Sequence, residues 1–231
     1  MVRTQRTHNK GQGRNRKARG PPGIRSFNRL ENILAGGREA DTARAIENRM
    51  ARSIQKLELP QEHKLLFVIR VESYRFPPRT TAKILKLMRL HKVNTGVFIR
   101  LTPVTAAMLQ YIRPYVVFGE PDLQSVRDLV FKRGFFLPTE TSADAINLPL
   151  NNNKVVEDRL GEHNIICVED IVHEIAALGP AFKEVCRCMA PFTLKPFKQP
   201  KLLSKIARHY TNKIGPSLEL VNLSRYLSQM I

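Results

Sequence analysis

Apolar positions along this chain change period several times, and the changes divide it into elements. Residues 65–69, Leu-Leu-Phe-Val-Ile, are a short β-branched and aromatic run, which predicts a buried strand. Pro77 and Pro78 turn the chain, and Thr80 or Thr81 caps a predicted helix that reaches His91. Residues 96–101, Gly-Val-Phe-Ile-Arg-Leu, predict a second strand. Thr102-Pro103 then sets a capping residue before a proline in the first helical turn, opening a helix to about Arg113. Pro114 stops that helix, and residues 115–118 predict a third strand. A further helix starts at Pro121-Asp122 and ends at Lys132-Arg133-Gly134, with cations in its last turn and glycine beyond it. The order β-α-β-α-β-α predicts one compact α/β unit.

The flanks are different. Residues 26–58 read as a long helix with sparse, small apolar positions, broken in two at Gly36-Gly37 and ended by Pro60. Such a helix is expected to be exposed or to dock on a partner surface. Residues 139–150 show no period and predict a loop. Three helices follow: 153–160 closed by Gly161, 169–178 closed by Gly179, and 180–189 closed by Pro191. The expected organisation is a basic arm (1–25), an N-terminal helix (26–60), a core (61–136), a helical acidic subdomain (137–190) and a helical, basic C-terminal extension (191–231).

Charge sharpens this division. The chain of 231 residues has a net charge of +18, with a hydrophobic fraction of 42% that is ample for a core. Residues 1–30 contain nine Lys or Arg and no acid. That stretch is too polar and one-signed to fold alone and is expected to be disordered. Segment charges run +8 (1–25), +1 (26–58), +8 (59–134), −5 (135–189) and +6 (190–231). A two-sided molecule is implied, with one side against a polyanion. No apolar run approaches the roughly 18 residues of a membrane span, and no secretory leader pattern is present, so no membrane partner is expected. Three cysteines make no disulfide framework, and a reducing compartment is expected.

The clearest constellation is the helix at 80–91, where Arg79, Lys83, Lys86 and Arg89 share one face and Ile84, Leu85, Leu87 and Met88 the other. Solvated helix faces normally mix acids with bases, yet no acid occurs between Glu72 and Glu120. Polyanion contact is therefore expected there. Signals for catalysis are weak. Gly11-Gln-Gly13 lacks the strand–turn–helix setting of a dinucleotide site. Cys186-Arg-Cys188 has no second cysteine pair at zinc spacing, and Glu169/His173 belong to no HExxH motif. No enzyme activity, cofactor, metal or small-molecule substrate is expected.

Several ordered blocks carry a family resemblance. They are Leu65-Leu-Phe-Val-Ile-Arg70, Leu85-Lys-Leu-Met-Arg-Leu90, Asn94-Thr-Gly-Val-Phe-Ile-Arg100, Gly119-Glu-Pro-Asp-Leu-Gln-Ser-Val126 and Ile165-Ile-Cys-Val-Glu-Asp170. Over about residues 28–231 the chain resembles the large-subunit ribosomal protein L-thirty family, in its longer eukaryotic L-seven type. The resemblance implies a ferredoxin-like β-α-β-α-β core bound to large-subunit ribosomal RNA (rRNA) beside neighbouring ribosomal proteins. It implies a structural role on cytoplasmic ribosomes, with assembly in the nucleolus. An assembly factor of precursor large subunits from the same lineage is the alternative. The RNA-facing residues it implies are Arg79, Lys83, Lys86, Arg89, Arg100, Lys132 and Arg133. The charge pattern adds Arg14, Arg16, Lys17 and Arg19 in the arm and Lys195, Lys198 and Lys201 in the tail. Residues 135–144 depart from the family's basic loop, being acidic and apolar, so no RNA contact is expected there.

Overall fold

The computed structural model describes residues 30–54, 63–72, 78–138, 147–150, 152–197, 200–212, 218 and 220–231. The arm, with Arg14, Arg16, Lys17 and Arg19, lies outside the described residues, as do residues 55–62, the Pro77 turn, residues 139–146 and Lys198.

Strands β1 (Leu65–Arg70), β2 (Thr95–Arg100) and β3 (Val116–Gly119) lie within a residue or so of their predicted bounds. Strands β4 (Phe135–Phe136) and β5 (Leu148–Pro149) pair separately, and the two-residue β6 (Phe192–Thr193) completes an antiparallel sheet of order β3-β1-β2-β6. Alternation divides each strand between two cores. Leu66, Val68, Val97, Val116 and Phe118 face helices α2 (Arg79–Leu87) and α3 (Pro103–Ile112). Phe67, Ile69, Phe98 and Val117 face the other way, under α4 (Leu123–Arg133). That second core continues through α5 (Asn153–Leu160), α6 (Val168–Ala176), α7 (Phe182–Cys188), α8 (Pro200–Asn212) and α9 (Ser224–Met230). Two helices on one face of an antiparallel sheet is the ferredoxin-like arrangement expected. Hydrophobic packing also runs without a break across residues 136 and 190.

The register puts Phe67 opposite Phe98, with ring centroids 4.8 Å apart, and Phe192 closes the cluster at 5.2 Å from Phe98. Gly119 at the end of β3 allows a close backbone approach: a Cβ there would sit 1.8 Å from the Val221 carbonyl oxygen. Val221 donates its N–H to Phe118 O at 3.1 Å, so the C-terminal segment lies directly along the sheet edge.

Several predicted signals are realised as local chemistry. Thr102 accepts from Thr105 N and Thr105 reciprocates, a capping box with Pro103 in the first turn. Gly134 and Gly161 follow α4 and α5 as expected.

Two expectations are corrected. Gly36-Gly37 does not break the N-terminal helix: α1 (Leu30–Ile54) is continuous. Glycine costs a helix about 1 kcal/mol relative to alanine. Helix-forming neighbours on both sides, together with docking of the C-terminal half on α3, outweigh that cost. Ala43, Met50 and Ser53 are buried there. The dock includes a buried polar relay. Arg113 donates to Gln110 Oε1 at 3.0 Å, Gln110 donates to Ser53 Oγ at 3.0 Å, and Ser53 donates to Met50 O at 2.7 Å. The second correction concerns the helix at 80–91, which ends at Leu87. Leu90 N–H reaches back to Leu85 O and Arg89 N–H to Lys86 O, with Arg89 left-handed at φ 59°. This is a Schellman closure with arginine where glycine is usual.

Candidate nucleic-acid interface

Helix α2 lays Thr81 and Leu85 against the sheet and leaves Arg79, Lys83 and Lys86 exposed. At 100° per residue these three cations fall within an arc of about 60°. No acid stands in α2 to neutralise them. The result is a compact cationic ridge on a helix whose other face is locked into the core.

The other expected residues separate into two kinds. Lys132, Lys195 and Lys201 are exposed. Lys132 pairs with Asp128 at 3.1 Å, one turn back on α4. Lys195 joins its backbone N–H to Met230 O at 2.9 Å, which leaves the ammonium outward.

Arg89, Arg100 and Arg133 are turned inward. The Arg89 guanidinium donates to Met189 O at 2.8 Å and also to Cys186 O, capping the carbonyl end of α7. Arg100 donates to Leu178 O at 2.8 Å and Gly179 O at 3.0 Å in the α6–α7 turn, and its guanidinium lies 5.2 Å from the Phe182 ring centre. Arg133 donates twice to the main-chain oxygen of Ile231, at 2.8 and 3.2 Å. The physical reason is shared. A guanidinium offers a planar fan of donors suited to several carbonyls at once, which an ammonium does not.

Burial lowers the pKa of Arg89 below its ordinary value. Burial also pushes the neighbouring Cys186 thiol up to about 12, so it stays neutral beside the guanidinium. Among the described residues no group of three or more His, Cys, Asp or Glu could hold a metal. No described helix is long and apolar enough to cross a membrane.

Of a second cationic row, on α8, the expected residues included Lys201 alone. Lys201, Lys205 and Arg208 line one cleft, and their i, i+4, i+7 spacing was present in the sequence. Pro200 obscured it by resembling an interruption, whereas it stands at the first helical position, where proline is tolerated.

Fold and face together define a basic, ferredoxin-like α/β domain with a helical layer added to its second face. The family described as ribosomal protein L30p/L7e matches residues 66–116, the stretch from β1 through α2 and α3 to β3. Large ribosomal subunit protein uL30A of Schizosaccharomyces pombe is 37% identical over 199 residues, covering 85% of this chain and 78% of that protein. Large ribosomal subunit protein uL30 of Yarrowia lipolytica is 40% identical over 168 residues, covering 73% of this chain and 65% of that protein. Ribosome biogenesis protein RLP7 of Saccharomyces cerevisiae is 47% identical over 140 residues, covering 58% of this chain and 41% of that protein. The chain belongs to the L30/L7 family of ribosomal proteins.

Proposed function

We propose that this chain is a structural constituent of the large ribosomal subunit and holds large-subunit rRNA on the exposed face of α2. The observation that carries the reading is the acid-free row Arg79, Lys83 and Lys86 on a helix fixed to the sheet. A-form RNA hides its base edges in a deep major groove, so cations on phosphates and 2′-hydroxyls do most of the holding. Lys132, Lys195 and Lys201, with Lys198 and the arm residues Arg14, Arg16, Lys17 and Arg19, extend the contact. The acidic layer, −5 over residues 135–189, faces solvent or a neighbouring ribosomal protein. The role is structural rather than catalytic. It is exercised on cytoplasmic ribosomes after nucleolar assembly.

Filter binding to large-subunit rRNA across a salt series tests the reading. Neutralising eight phosphates gives a log–log slope of roughly −6 to −7. A slope near zero would remove the phosphate-driven picture. A second reading, an assembly factor of precursor subunits, is favoured by the 47% identity to RLP7. Sucrose gradients separate the two: co-migration with polysomes supports the constituent, and confinement to precursor particles supports the factor.

A further inference from the structure

Beside the end of β1 and the turn entering β2, helix α8 walls a cleft of about 420 Å³. Its floor is apolar, from Val71, Val93 and the largely buried Phe197, whose ring is held edge-on by Tyr226 at 5.8 Å. Its rim is cationic. Lys201, Lys205 and Arg208 follow one another along α8, about 6 Å and then 4.5 Å apart on the helix axis. Among the described residues Lys201 and Lys205 make no ion pair, while Arg208 is held by Glu72 at 2.9 Å. Three cations therefore face one carboxylate.

Asn94 also lines the cleft, and among the described residues its carboxamide has no hydrogen-bond partner, although its backbone is fully engaged. Asn94 N–H donates to Arg70 O at 2.8 Å, and its carbonyl accepts from Leu194 N at 2.8 Å. The residue sits at φ 60°, a backbone setting that asparagine tolerates better than most side chains.

An apolar floor, a free amide and a cationic rim match the three chemical parts of one nucleotide. We propose that this cleft receives an unpaired nucleotide of single-stranded RNA. Its flanking phosphates lie along Lys201, Lys205 and Arg208, its base rests on Val71 and Val93, and the Asn94 carboxamide meets a base edge. This rests on the rRNA reading and adds to it: α2 presents a ridge for duplex backbone, whereas α8 presents a socket that a paired base could not enter. An acidic peptide would satisfy the rim but would leave floor and amide unused. Proteins read single-stranded RNA by stacking splayed bases on side chains, aromatic rings and arginines above all, and by hydrogen bonds to base edges.

The test uses the full chain and three labelled probes in fluorescence anisotropy: a mixed-sequence single-stranded RNA hexamer, the same hexamer with abasic sugars, and a fully paired RNA hairpin. Asn94→Gly accommodates the left-handed backbone and removes the side chain with its amide. It is expected to weaken hexamer binding several-fold while leaving the abasic strand and the hairpin unchanged. The abasic strand is expected to bind the native chain about tenfold more weakly than the hexamer. Lys83→Ala with Lys86→Ala is expected to weaken the hairpin instead. Equal binding of abasic and normal strands, or indifference of the hexamer to Asn94→Gly, overturns the socket while hairpin binding still upholds the rRNA reading. Equal displacement of the hexamer by a Glu-rich peptide of matched charge also overturns it. Failure of all three probes to bind overturns both.

Discussion

The ridge on α2 and the seam beneath α7 use the same kind of side chain for opposite ends. On the ridge, Arg79, Lys83 and Lys86 stand in solvent and touch no acid on their own helix. Along the seam, Arg89, Arg100 and Arg133 reach across the chain to carbonyls of the α6–α7 layer and of Ile231. Removing a ridge cation leaves nothing buried and uncompensated. Removing a seam guanidinium strands carbonyls that have already given up water. The fold's stability and the charge-dependent binding proposed for the ridge therefore fall to neighbouring residues that sequence alone places in one class. Among the described residues of the set, the lysines are all outward and the inward members are all arginines.

The largest effect should come from breaking the seam. Arg89→Met removes two well-formed charged hydrogen bonds, each of the class that contributes about 1.5–3 kcal/mol when fully buried. Half-burial discounts this to about 2–3 kcal/mol in total, or a fall of roughly 5–10 °C in thermal midpoint by calorimetry. The salt slope of RNA binding should stay as it was. Unchanged stability with a shallower slope would instead move Arg89 onto the ridge.

Breaking the ridge should show the reverse. Lys83→Ala with Lys86→Ala should change stability by less than about 0.5 kcal/mol, as surface substitutions do. It should make the salt slope shallower by about 1.4–1.8. A drop in thermal midpoint as large as that of Arg89→Met would erase the distinction.

Alkaline titration probes the seam more gently. Cys186 deprotonates at about 12 in the native state against an ordinary 9.0, so folding retains a proton that the unfolded chain releases. Its contribution to stability is complete below pH 9 and declines as pH rises through about 12. Iodoacetamide at pH 9 should accordingly label Cys186 slowly in the folded chain and quickly after denaturation, as read by peptide mass mapping. Rapid native labelling would contradict its place under Arg89.

The smallest expected effect lies in the acidic layer at the start of α6. Asp170 accepts hydrogen bonds from Cys167 N at 2.9 Å and Ile166 N at 3.0 Å, and these hold its carboxyl below its ordinary 3.8. The stability it supplies is present above pH 3.8 and is lost as pH falls further. Asp170→Asn should remove that acid-side dependence while leaving the alkaline limb untouched in denaturation curves taken across pH.

How much of this was legible in the sequence depends on the range of the interaction. Strands β1 and β2, the Thr102-Pro103 start of α3 and the glycine closures of α4 and α5 follow from local chemistry, so the pattern locates them closely. Two-residue strands such as β6 have no period to read, because pairing with Thr95 and Gly96 creates them. The continuity of α1 through Gly36-Gly37 is a tertiary effect of its dock on α3. At the candidate site, the exposed ridge was readable because an absence of acids is a sequence property. The inward turn of Arg89 and Arg100 was not, because their carbonyl partners lie 78 to 100 residues away. One clue was available: Arg89 follows an apolar helix face and Arg100 ends a buried strand, positions where a side chain can turn back over the core.

The tail also imposes an order in time. Met230 is buried in the same core as Phe67, and Ile231 is held by Arg133. A ribosome adding about 5–20 residues per second takes roughly 8–33 s to travel from Phe67 to Met230. Throughout that interval the aromatic face of the sheet waits for its final cover. Nascent chains are therefore expected to keep part of that phenylalanine surface uncovered until Met230 has been made, an apolar surface of the kind that holding chaperones take.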